Sequence, residues 1–170
     1  MGKTAEDFWD FSLVLYARPG VEAALLALQD EEGLDVNLIL FCLYAGARGR
    51  SLEEATLAGM RGIGAGWGQG VVAPLRAARR ALKPIAEGDA AAARLRAEVK
   101  RLELAAEKEM QLRLDALLAG ALPAGAALLP PGRGLAERNL SAWLEGEGRA
   151  FAGRCGERFA RVLDACFNDD

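Results

Sequence analysis

Residues 8–46 read FWDFSLVLYARPGVEAALLALQDEEGLDVNLILFCLYAG, and this stretch decides the fold. It holds three helix-sized apolar segments behind very short connectors. The first is expected from about Ala5 to Tyr16. Phe8, Phe11 and Leu15 make one stripe along it; Trp9, Leu13 and Tyr16 make a second. Two stripes require cover on more than one side. Arg18-Pro19-Gly20 ends this helix, and Pro19 suits the opening turn of the next. The second segment carries Val21, Leu25 and Leu28 and stops near Gly33. Asp35 then offers a carboxylate to the free N–H groups of a third helix. From Val36 to Ala47 that helix is apolar almost all round, the pattern of a central, buried helix.

Outward from this core, the residues from Ser51 to Glu54 read as a capping box opening a fourth helix. Six glycines follow between Gly59 and Gly70. Each costs a helix about 1 kcal/mol relative to alanine, which predicts a weak helix or a loop. A fifth helix spans Val72 to Lys83, before Pro84, with Leu75, Ala78 and Leu82 as its apolar stripe. The longest helix runs from a cap at Asp89 to about Ala119. Its seam is Leu95, Val99, Leu102, Ala106, Met110, Leu114 and Leu117. A second apolar set, Leu104, Leu112 and Leu118, invites antiparallel pairing of two copies, unless the C-terminal helices cover it. Gly120 to Gly134 reads as an Ala/Gly/Pro-rich loop or linker. Helical pattern resumes at Leu135, with a break at Gly146–Gly148 and a last stripe of Phe151, Cys155, Phe159, Val162 and Cys166.

The expected fold is therefore all-α: a single-domain helical bundle of six to eight helices. Residues 1–119 form the main bundle, 120–134 the loop, and 135–170 the C-terminal helices packing on the same domain. Composition agrees. With 52% hydrophobic residues the chain can fill a core, and seven Val, three Ile and two Thr leave little material for strands. FWDFSLVLY, Pro19-Gly20-Val21, LDVNLILFC and the VVAPLRAARRALK run from Val71 to Lys83 together resemble a largely proteobacterial domain-of-unknown-function family. The resemblance implies a helical fold and no particular activity.

Much chemistry is excluded. The chain has no histidine, which removes Ser-His and Cys-His nucleophile pairs and His-ligated metal sites. Net charge is −3, so there is no global field to attract nucleic acid, and none is expected as a partner. The longest apolar run lasts about twelve residues against the roughly 20 of a bilayer helix, and no membrane association is expected. The N-terminus shows no signal region, and Cys42, Cys155 and Cys166 fit free thiols, so the expected location is the cytoplasm. The glycine-rich stretch is no phosphate loop: Trp67 stands where the motif needs glycine, and no GK[ST] follows. Three scattered thiols are not a metal set, and no cofactor is indicated.

Three candidates remain. Arg76, Arg79, Arg80 and Lys83 could grip phosphate or carboxylate groups, or could pair with Glu98, Glu103, Glu107 and Glu109 of the long helix. Carboxylates at Asp30–Asp35 and at Glu103 and Glu107 invite comparison with helical Mg²⁺ enzymes, but they lack the repeated aspartate motifs. They read more simply as a cap and a solvated face. Trp9, Tyr16, Phe41, Tyr44 and Trp67 are core by their spacing, or line a pocket. Asn37 is the exception to an apolar helix: buried, it must clamp a neighbouring helix or bind something. The sequence thus favours a non-enzymatic interaction module that binds a protein partner or itself. The alternative is a Mg²⁺-assisted, carboxylate-dependent enzyme or an anion-binding protein using the basic cluster.

Overall fold

Asp7 opens the first helix by accepting the N–H of Asp10 at 2.9 Å. The computed structural model describes residues 7–121 and 128–168, so the expected start at Ala5 lies outside the described residues. Among the described residues eight α-helices follow in order: α1 (Phe8–Tyr16), α2 (Val21–Glu32), α3 (Val36–Ala47), α4 (Glu54–Ile63), α5 (Ala73–Ala86), α6 (Ala90–Gly120), α7 (Arg133–Gly146) and α8 (Gly153–Phe167). Among the described residues there is no strand, and the fold is an all-α bundle. No single helix there is long and apolar enough to cross a membrane. α1 and α2 reach that length together, but with a bend of 103° between them.

α3 is the core. Every residue from Val36 to Gly46 is buried. Its chief neighbour is α7, with α6, α1, α2 and α8 around the rest. α5 packs chiefly on α6 rather than on α3. α3 and α7 meet closely because Gly46 lacks a side chain: a Cβ there would lie 2.6 Å from the Ala136 backbone. Asn139 of α7 is buried and secures the exit of α3. Its amide donates to the carbonyls of Cys42 and Arg50 and accepts the N–H of Leu52. That contact replaces the expected capping box. Ser51 stays outside the helix, and Glu53 holds the N-cap position with no side-chain bond.

The glycine-rich stretch is helical after all. Between α4 and α5 the chain winds as a π-helix, Gly64–Val72, without leaving helical backbone angles at either joint. Propensity argued for a loop; packing overrides it. A Cβ on Gly64 would lie 2.8 Å from Leu38, and one on Gly68 would lie 2.6 Å from the Asp35 carboxylate. The glycines let this rod press against the entry of α3. α5 also runs past its expected end, with Pro84 inside its last turn.

α6 matches its expected span, with Asp89 accepting the N–H groups of Ala91 and Ala92. Its seam is covered only in part. Ala106, Met110 and Leu114 are buried, whereas Leu95 and Leu102 are 55% and 47% exposed. Leu118, assigned to the outward set, is in the core, which leaves Leu104 and Leu112 exposed without it. They are eight residues apart, about 80° around the helix at 100° per residue. Of the 120–134 segment, Leu129 and Gly132 donate to the carbonyls of Gly49 and Gly46, and α7 begins at Arg133 rather than Leu135. The break at Gly146–Gly148 is present: α7 ends there and Gly148 has φ of 68°.

Candidate functional site

Polar side chains from α1, α3, α5 and α6 converge where the π-helix meets the first turn of α3. Asp35 caps that turn, accepting the Asn37 N–H at 2.9 Å. Its other oxygen faces Gly68, with Met110 of α6 beside it. Burial pushes the Asp35 carboxyl above its ordinary value of 3.8, against the pull of the Asn37 N–H and the Arg76 charge.

Asn37 is buried, and its side-chain oxygen accepts from Nε2 of Gln111 at 2.9 Å. The Oε1 atom of Gln111 lies 3.1 Å from the Ser12 hydroxyl, which shares its one proton with the Phe8 carbonyl at 2.9 Å. Ser12, Gln111 and Asn37 thus form a neutral chain linking α1, α6 and α3. All three side chains are buried, so each bond they make offsets a large desolvation cost. This is the clamp reading of Asn37.

A charged layer lies beside it. Arg76 binds Glu103 through Nε at 3.1 Å and Glu107 through Nη2 at 2.6 Å, and Arg79 also pairs with Glu103. Glu103 is 4% exposed, so these are not the solvated face expected of Glu103 and Glu107. Burial raises the Glu107 carboxyl above its ordinary 4.5, with Arg76 opposing. Burial and the nearby Glu107 carry the Tyr16 phenol up to about 12. Arg80 holds Asp30 of α2 at 2.7 Å and lowers its pKa by that hydrogen bond. Glu98 and Glu109 pair along their own helix, with Arg101 and Arg113. Among the described residues no group of three or more His, Cys, Asp or Glu is arranged to hold a metal ion.

The structure therefore brings Asn37, Arg76 and Arg79 to one locus, sets Arg80 at its rim, and leaves Lys83 apart. Lys83 is exposed and has no ion pair among the described residues. The aromatic residues do not line one pocket. Phe41 packs tilted on Phe8 and Tyr44 stacks on it, with ring centroids at 5.8 and 4.9 Å. Trp67 donates to the Ala106 carbonyl at 2.8 Å beneath Arg113, and Trp9 lies under Lys108. Burial raises all three cysteine thiols, Cys166 to about 12, which leaves them poor nucleophiles.

Two groups escaped the sequence reading. Gln111 and Ser12 complete the Asn37 chain. The signal was present for Gln111: Glu103, Glu107 and Gln111 step by four, a polar stripe beside the apolar seam of α6. The second group is Arg94, Arg96 and Lys100, which extend the basic set across the α5–α6 turn. They are distant from Lys83 in sequence, so the charge run alone ends at Lys83.

The chain matches the family model described as Protein of unknown function (DUF2390) over residues 7–114, and it belongs to that family. No curated protein and no solved structure matches it.

Proposed function

We propose that this family member is a non-enzymatic helical interaction module whose α5–α6 hairpin is the docking arm for an acidic, apolar segment of a partner protein. One observation carries the reading. The main core ends at Leu75 on α5 and Ala106 on α6, and α5 buries none of its residues. From Ala106 back to its start at Ala90, α6 extends for roughly 24 Å at 1.5 Å per residue with α5 as its main support. Ile85, Leu95 and Leu102 are 55%, 55% and 47% exposed on this arm.

Charge supports the choice of partner. Residues 77–102 carry seven basic and three acidic side chains, net +4 on a chain of net −3. Lys83, Arg94 and Lys100 are exposed without an ion pair among the described residues, and Arg96 Nε is buried without an acceptor. Residues 73–120 contain no aromatic side chain, so the arm has no stacking platform for nucleic-acid bases. The alternative of an anion site at Arg76, Arg79 and Arg80 is weakened, because each of these cations already holds a carboxylate. Self-association is weakened by the burial of Leu118.

The test compares the wild type with a Leu95→Glu, Leu102→Glu double variant. Both sites are exposed, and circular dichroism checks that the variant keeps its helices. Light scattering and affinity capture from the native host are then read together. The proposal expects a monomeric mass and a captured protein lost from the variant. A dimer broken by the same substitutions would make a second copy the occupant. Equal capture by both proteins would move docking off the arm.

A further inference from the structure

A cleft of about 190 Å³ opens beside Asp35, with none of Arg76, Arg79, Glu103 and Glu107 in its lining. It lies between the α2–α3 connector, the start of the π-helix and α7. Against roughly 30 Å³ per liquid water, it has room for about half a dozen waters or a metabolite of that size. Its wall holds two cations, Arg61 and Arg149, two carboxylates, Asp35 and Glu147, and the apolar Leu34 and Leu38.

Two of its lining residues carry buried donors without acceptors. Trp143 is 2% exposed, and among the described residues neither its indole N–H nor Arg61 Nη1 has a partner. Buried N–H groups are nearly always satisfied, and an orphan costs about 1–3 kcal/mol. Both donors belong to one neighbourhood. Arg61 Nη1 lies where a Cβ on Gly146 would be, at 2.6 Å, one helical turn from Trp143 on α7. Arg61 is anchored by the exposed Glu54.

We infer that this cleft binds a small zwitterion of the free α-amino-acid class. The ligand carboxylate accepts from Arg61 and Trp143. Its ammonium faces Asp35 and Glu147, and its side chain rests on Leu34 and Leu38. A plain anion would meet the two carboxylates, and a plain amine the two guanidiniums. Only a molecule with both charges complements the wall. This site is separate from the arm, so it stands or falls independently of partner docking.

The common L-amino acids, each at millimolar concentration, are titrated by calorimetry and thermal shift into the wild type, Trp143→Phe and Arg61→Gln. Phenylalanine keeps the ring and removes the N–H. The inference expects saturable binding of at least one amino acid and about a tenfold or greater loss in each variant. It also expects no binding of that amino acid's deaminated acid or decarboxylated amine. Melting temperature and circular dichroism confirm that a variant that fails to bind is folded. If Trp143→Phe unfolds, the surface-anchored Arg61→Gln carries the test. Absence of saturable binding by every amino acid, equal binding of the deaminated acid or amine, or undiminished binding by a folded Arg61→Gln variant would overturn it.

Discussion

The side chains of Gln111 and Asn37 meet at 2.9 Å across the α6–α3 contact, a buried amide pair inside a nearly all-apolar interface. The Gln111 N–H has no access to water there. Its bond to Asn37 is the reason that a polar residue is tolerated in the first turn of the most buried helix.

Asn37→Ala and Gln111→Ala are each expected to cost about 1–3 kcal/mol by stranding the other amide. The double variant should cost less than the sum of the two, with a coupling of about 0.5–3 kcal/mol. Urea denaturation of the four proteins measures this. Strict additivity would mean that the pair is not coupled.

Glycine substitutions in the π-helix should split by sign. Gly66 and Gly70 have nothing within 4 Å of an added Cβ, so alanine there should stabilise by about 0.5–1 kcal/mol. At Gly68 the same methyl meets the Asp35 carboxylate at 2.6 Å, where Asp35 is fixed by its capping bond. Gly68→Ala should destabilise by about 1–3 kcal/mol. Thermal melts of the three single variants suffice.

Asp35 and Glu107 give stability an unusual pH trend. Both carboxyls are raised above their ordinary 3.8 and 4.5 by burial. The folded state therefore binds more protons than the unfolded one from those values upward. Their contribution is greatest at and below the ordinary range and declines as pH rises through the folded values. Asp30, lowered by Arg80, acts in the opposite sense and loses its contribution as pH falls. Asp35→Asn keeps a capping side chain and removes one raised carboxyl. Its stability relative to wild type should grow as pH rises from about 4 toward neutrality. A difference independent of pH would refute the raised Asp35.

Arg76 is expected to be structural. Arg76→Met leaves Glu107 without its cation in a half-buried setting, and should cost about 3 kcal/mol. Inorganic phosphate and diphosphate should not raise the melting temperature, since Arg76, Arg79 and Arg80 already hold carboxylates. A phosphate-dependent rise abolished by Arg76→Met would restore the anion-site reading.

α1, α2, α3 and α6 were legible because they rest on local signals: the Pro19-Gly20 break, the Asp35 and Asp89 caps, and the apolar girth of Val36–Ala47. The π-helix was not. Its glycines read as a loop because their value lies in what they approach, Leu38 and Asp35, and those contacts are tertiary. The same holds for the opening of α4, where Asn139, distant in sequence, replaces the expected Ser51 cap. The site was half legible. Asn37 announced itself as polar in an apolar helix, and the basic cluster as a charge run. Which carboxylate each arginine would meet depends on how α5 lies on α6, and that register is not written in either helix alone. Lys83 and Arg94 share the arm because the chain reverses through Gly88, so the basic set became visible only in the folded hairpin.

The most direct measurement is site-specific photo-crosslinking in the native host, with the probe at Leu102 on the arm and, for comparison, at Leu26 on α2. Both positions are exposed, at 47% and 40%. The account predicts a protein adduct at position 102 and none at 26. The crosslinked segment should be rich in carboxylates and apolar side chains, and the adduct should disappear with Lys83→Glu and Arg94→Glu. Adducts confined to position 26, or an adduct at 102 that survives the charge reversals, would contradict it.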